Sequence, residues 1–197
     1  LIDPDGWLLA DIEHKQSTSA ILKQARDKDR VLARRAAIAE LGGKTPSDEI
    51  LATLTNAMRT DSQVGVRSAA ADALAELGGD EARDSLMLGL TDSDPNVRNR
   101  VVYALGTFED DDLAFQTLAR IAGSNDIDPI RGSAIDAASM VDPDRAASIA
   151  TAAIARRSEK YTIEQDAFTA LRRTNDEARI PTAMRYTRPG TPTAVRP

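Results

Sequence analysis

Few residues in this chain could do chemistry, and none stands at catalytic spacing from another. The only histidine is His14, in Ile12-Glu13-His14-Lys15. A tetrahedral metal site needs three or four converging ligands, so a lone His beside Lys15 reads as a solvated or capping residue. There is no H-E-x-x-H, no G-x-S-x-G and no phosphate-binding glycine loop. Cysteine is absent, which removes disulfides, thiolate ligands and thiol catalysis. No catalytic, cofactor-binding or metal-ligating residue is therefore expected.

What does recur is Asp with Arg. Asp61 precedes Arg67, Asp92 and Asp94 precede Arg98, and Asp126 and Asp128 precede Arg131. A periodic Arg could form an anion-binding row. The favoured reading is structural: a loop carboxylate accepts hydrogen bonds from the Arg fork of its own or a neighbouring repeat. Arg67, Asp94, Arg98, Asp128 and Arg131 are the expected rungs of this ladder. Taken as exposed pairs they would contribute only ~0–1 kcal/mol each and set register more than stability.

The elements that hold these residues repeat. Asp94-Pro95-Asn96-Val97-Arg98 leads to Tyr103-Ala104-Leu105-Gly106, and related stretches occur at Val66–Gly78 and Asp128–Ala138, more weakly at Leu32–Gly42 and Ile163–Leu171. Ala37, Ala73, Ala104, Ala137 and Ala170 are equivalent positions in these stretches. They recur at about the length of one helical hairpin, the period of a solenoid of helical pairs. The expected fold is all-α: a right-handed α-α superhelix of about five pairs, preceded by a short extended N-terminal arm. The first helices are predicted over Ser17–Asp27, Ser47–Thr60, Asp80–Leu90, Asp111–Ala122 and Pro143–Ala155. The second helices are predicted over Arg30–Leu41, Val64–Leu77, Pro95–Phe108, Pro129–Met140 and Tyr161–Arg172. Thr45-Pro46, Asp94-Pro95, Asp128-Pro129 and Asp142-Pro143 supply an N-cap oxygen followed by a proline. Gly42-Gly43 and Gly78-Gly79 follow helix ends, where a left-handed backbone suits glycine. The second helices would line the inner curve, making Arg35, Asp72, Arg100, Tyr103 and Asp136 concave-surface candidates. Arg100 and Tyr103 lead, because both residue types are enriched in binding hot spots.

Residues 1–16 differ. Asp3-Pro4-Asp5-Gly6 is a type I turn signature and Trp7-Leu8-Leu9-Ala10-Asp11-Ile12 reads as an extended strand or packed arm, as expected at the end of a preceding β domain; the alternative is an irregular cap whose Trp7 covers the first helix pair. Residues 17–174 form the repeat domain, and 175–197, with Pro181, Pro189, Pro192 and Pro197, form a tail. The whole chain has 25 basic and 31 acidic residues, a formal charge of −6 with no long basic run, which disfavours nucleic acid. The Ala146–Ala155 stretch is too short to span a bilayer, so no membrane partner is expected. The sequence does not fix the compartment, although the cytoplasm is favoured.

The Asp-Pro-x-Val-Arg stretches and the closing Ala-Leu-Gly resemble HEAT repeats over roughly Ser17 to Arg172. The N-terminal Ile2-Asp3-Pro4-Asp5-Gly6-Trp7-Leu8-Leu9, with Ile12-Glu13 and Lys15, resembles the join between the β-sandwich and the C-terminal helical domain of bacterial aminopeptidase N-like zinc metallopeptidases; Ala10 stands where that family has lysine. The resemblance implies a non-catalytic domain that covers and shapes the active-site chamber of an upstream zinc domain. Its implied partners are the preceding domains of the same chain and the peptide substrate, and the zinc belongs to the upstream domain. The alternative is a free-standing HEAT scaffold that holds a protein partner on its concave face.

Overall fold

The structure of the chain, a computed structural model, describes residues 17–156 and 162–174. The readings placed on Trp7, His14, the N-terminal arm and the 175–197 tail lie outside these residues. The described residues form helical pairs only: α1 (Thr18–Ala25) with α2 (Val31–Gly42), α3 (Asp48–Thr60) with α4 (Val64–Leu77), α5 (Asp80–Leu88) with α6 (Pro95–Leu105), α7 (Asp112–Ala122) with α8 (Asp128–Val141), and α9 (Pro143–Arg156) with α10 (Thr162–Arg172). These are the five predicted pairs, stacked in chain order.

Side-chain caps mark several helix starts. Ser47 caps α3 by accepting from the Ile50 amide, Asp94 caps α6 through the Asn96 amide, and Asp111 caps α7 through the Ala114 amide. Asp142 accepts from the Arg145 amide at the start of α9. Two caps differ from expectation. Thr45 is not the cap of α3, because Ser47 takes that role and leaves Pro46 outside the helix. Asp128 lies inside the first turn of α8 behind Ile127, because the Asp126 carboxylate already binds the Ile127 amide. α5 ends early and passes into a 3-10 turn over Gly89–Thr91.

Second helices pack on one another along the stack (α2 on α4, α4 on α6, α6 on α8, α8 on α10), whereas successive first helices barely touch. The closely packed second helices are therefore the inner, concave layer. Alanine makes this possible: Ala70, Ala73, Ala134, Ala137 and Ala170 are buried on the second helices, together with the larger Leu74, Leu105 and Ile135. Gly42 has no left-handed role. It is the last residue of α2, and a Cβ there would lie 2.8 Å from Ala73 Cα. Gly106 meets Ala137 in the same way two layers on, its would-be Cβ 3.0 Å from Ala137 Cβ. Only Gly78 and Gly79, with φ of 68° and 82°, are glycines in the left-handed region among the described residues.

These contacts separate two kinds of glycine. Gly42→Ala is expected to destabilise the chain by about 1–3 kcal/mol, because backbone must shift to admit the methyl group. Gly65→Ala, in α4 with nothing within 4 Å of its would-be Cβ, should be neutral or stabilise by up to about 1 kcal/mol. Urea midpoints of the two variants decide this; equal losses would contradict the packing described.

Candidate functional site

The recurrent Arg and Asp residues form a ladder along the edge where each first helix turns into its second. The Arg near the start of one second helix forks onto an Asp in the turn of the next pair. Arg34 donates Nε and Nη2 to the two carboxylate oxygens of Asp61 at 2.7 and 3.1 Å. Arg67 binds Asp92 at 2.7 and 2.9 Å, and Arg98 binds Asp126 at 3.0 and 2.7 Å. The remaining Nη1 of each Arg donates to backbone carbonyls of its own turn: Asp27 and Lys28, then Asp61, then Asp92 and Ser93. Each acceptor Asp is itself fixed by a backbone amide, Gln63 on Asp61, Asp94 on Asp92 and Ile127 on Asp126. A rung thus joins two turns and two layers.

The acids differ from those the sequence suggested. Asp94 is a helix cap whose charge lies near Arg67 and Arg98, while Asp92 and Asp126 accept the forks. Asp128 pairs with Arg131 of its own helix at 3.2 Å, and Arg131 also reaches the Ala122 carbonyl. The turn after α9 lies outside the described residues. Arg34 was not among the expected rungs. It is only 5% exposed. It stands one repeat before Arg67, as Arg67 does before Arg98 and Arg98 before Arg131. In the first pair the equivalent acid, Asp27, keeps the local turn by accepting from the Asp29 amide.

Nor are the rungs solvated pairs. The side chains of Arg34 and Asp61 are 6% and 11% exposed, and those of Arg67 and Asp92 are similarly covered. Burial pushes the Asp92 carboxyl up, yet hydrogen bonds from Arg67 and the Asp94 amide, with the Arg67 and Arg98 charges, hold it below its ordinary value. Asp126 is lowered first by the Arg98 fork, against its own burial. Asp111 follows the same logic: burial raises it, and the Ala114 amide and Arg83 outweigh burial. These carboxylates stabilise the fold fully above the ordinary aspartate range, and the contribution is lost as pH falls through their depressed folded values.

First helices carry a sparser second row. Arg83 binds Asp111 at 2.6 Å, and Arg145 binds Asp112 at 2.6 Å while lying 4.0 Å over the Phe115 ring.

On the inner layer, Arg100 and Tyr103 stand one turn apart on α6, both exposed. Arg100 is held by Asp72 of α4 through Nη2 at 2.7 Å, with both side chains about half exposed. Arg35 is exposed on α2, and Asp136 of α8 is bound by Arg173, which also donates to Ser139 at 2.8 Å. Sequence reading missed Asp166. In α10 it takes the position that Arg100 takes in α6, lies over Gly132 and faces Asp136. Burial first, and the Asp136 charge second, push its carboxyl up to about 6. Among the described residues no group of three or more His, Cys, Asp or Glu could hold a metal ion.

Arg67→Ala leaves Asp92 buried without its partner and should cost about 3–5 kcal/mol, against ~0–1 kcal/mol for Arg100→Ala at an exposed pair; equal urea midpoints would refute the ladder. For Asp166 the sign is opposite to that of the rung acids. Its folded value is raised, so between about pH 4 and about 6 the unfolded chain releases a proton that the folded chain keeps, and stability falls as pH rises. Asp166→Asn should therefore match the parent near pH 4 and exceed its thermal midpoint at pH 7.5.

The chain matches the HEAT-repeat family over residues 18–90 and 51–139. No curated protein shows significant similarity to it. Among solved structures, an engineered protein determined by a structural genomics consortium is similar in fold, with 15% identity, a TM-score of 0.50 and 92% of each chain covered. The matched residues span more than half of the sequence and coincide with the stacked pairs joined by the ladder: the chain belongs to the HEAT-repeat family.

Proposed function

We propose that this chain is a non-catalytic HEAT scaffold that holds a protein partner on its inner layer. The observation that carries this reading is the pair Arg100 and Tyr103. Two residue types favoured at binding hot spots stand exposed on one face of α6, and Asp72 fixes the Arg in place. An arginine restrained in this way loses less side-chain freedom on binding than a free one. Exposed Met140, on the next second helix, adds apolar area to the same layer.

A second, finer reading makes the chain the C-terminal domain of an aminopeptidase N-like enzyme, with the inner layer facing the chamber of an upstream zinc domain. Its support is the stretch Ile2–Leu9 with Ile12, Glu13 and Lys15. An encoded H-E-x-x-H with a downstream Glu in the same polypeptide would favour it.

A photo-crosslinking residue at position 103 in the native host tests the scaffold reading. One partner should be captured reproducibly, its capture should fall at least tenfold with Arg100→Glu, and Leu113→Ser on α7 should leave it unchanged. Capture insensitive to Arg100→Glu would overturn the inner-layer assignment.

A further inference from the structure

The chain is acidic as a whole, yet its charge is unevenly placed. Residues 17–44, which make up the first pair and its flanks, carry seven Lys and Arg against three Asp and Glu, a net +4. With a formal total of −6, the remainder of the chain carries −10. The basic residues of this pair are also the ones least used internally. Among the described residues, cations outside any ion pair are Lys23, Lys28, Arg30, Arg35, Arg59, Arg120 and Arg172. Four of these seven fall within Lys23–Arg35, and all four are exposed. Everywhere else along the stack arginine serves mainly to join layers, so this cluster needs another explanation.

The same pair exposes apolar surface. Leu32 is 81% exposed and Val31 37%, both in the first turn of α2. Between the first and second pairs runs an open groove of about 450 Å³, with Lys28 of the basic cluster in its lining. Asn56, Thr60 and Ser62 are also among its lining residues, and Arg26 bridges it by donating to Thr53 and Glu49 at 2.8 and 3.0 Å. Thr53 and Thr60 donate to their own helix, so Asn56 and Ser62 are the neutral polar groups that can hydrogen-bond an extended backbone, while Lys28 meets its side chains.

We propose that the first helical pair is a docking site for an acidic stretch of a partner polypeptide that carries apolar residues between its carboxylates. Carboxylates would meet Lys28, Arg30 and their neighbours, and an apolar side chain would cover Leu32. A nucleic-acid duplex fits less well. Its dense phosphate charge demands a continuous basic track, whereas Asp27 and Asp29 interrupt this one and the rest of the molecule repels a polyanion. An anionic bilayer meets the same repulsion over a larger area. This site is separate from Arg100 and Tyr103 and stands or falls independently of the inner-layer reading.

Fluorescence anisotropy with the full chain at low salt, about 50 mM, where surface charge is weakly screened, tests the proposal. The peptide probes are labelled, short and strictly alternating, one of Glu and Leu and one of Glu and Ser. The competing probes are a short DNA duplex and vesicles of two parts phosphatidylcholine to one part phosphatidylserine. The Glu–Leu peptide should bind at least fivefold more tightly than the Glu–Ser peptide, and Leu32→Ser should abolish that difference. The Lys28→Glu/Arg30→Glu variant should lose about tenfold or more, whereas Arg120→Glu, reversing an unpaired exposed cation on α7, should lose less than twofold. All substituted side chains are exposed, and unchanged helicity by circular dichroism confirms that the variants fold. The proposal is overturned by absent peptide binding, by equal loss in the Arg120→Glu control, or by tighter binding to the duplex or the vesicles.

Discussion

A guanidinium placed between two layers of helices is the constraint on which the rest of this stack depends. Arg34, Arg67 and Arg98 each face a carboxylate with one side of the fork and backbone carbonyls with the other. Removing such a charge from water is costly, and the cost is offset only when every donor direction finds an acceptor. The requirement is geometric as much as energetic. It fixes the conformation of the Arg's own turn, the position of the next turn and the distance between them. Hydrophobic burial supplies most of the driving force, but it is non-directional and tolerates small slips of one alanine-rich surface over another. The forks do not tolerate such slips.

Close packing of the second helices is the complement of this arrangement. Small residues at Gly42, Ala73, Gly106 and Ala137 let backbones come near enough for the forks to reach. A bulkier pair at any of these points would hold neighbouring turns apart. First helices, with larger faces and fewer mutual contacts, splay outward, and curvature follows from that difference. The inner layer is left with a surface of mostly small side chains in which Arg100 and Tyr103 stand out.

Much of this was legible in the sequence because the repeat is short-range: proline and aspartate at helix starts, alanine before leucine, and arginine a turn into each second helix. The five pairs and the inner placement of the second helices follow from those signals. The rungs were harder to assign, because an acid near an arginine in sequence is not the one near it in space. Asp94 and Asp128 lie closest along the chain, but Asp94 is occupied as a cap and Asp128 stays within its own helix. The true acceptors, Asp92 and Asp126, belong to the next turn, 25 and 28 residues after the arginines they bind. Arg34 is hidden when the first repeat is anchored on Ala37, which sets that repeat out of step with the others; aligning the arginines makes the spacing even. Asp166 carries no local signature at all. Its raised pKa arises from its burial against the preceding second helix, where it lies over Gly132, and from the charge of Asp136.

The second row of pairs, on the first helices, gives the stack an uneven stiffness. Arg83 with Asp111 and Arg145 with Asp112 tie the third, fourth and fifth pairs at the edge opposite the main ladder. Among the described residues no ion pair joins the second and third pairs at that edge, where Gly78 and Gly79 make the connection. The third and fourth pairs are thus clamped on both margins, by Arg98 with Asp126 and by Arg83 with Asp111, and Arg26 with Glu49 adds a first-helix tie between the first two pairs, whereas the second and third pairs lack one. Elastic deformation should concentrate at the junction of the second and third pairs, which would open and close like a fan hinged on Arg67. A molecule pulled or twisted by its ends would yield there first, while α5 to α8 moved as a block.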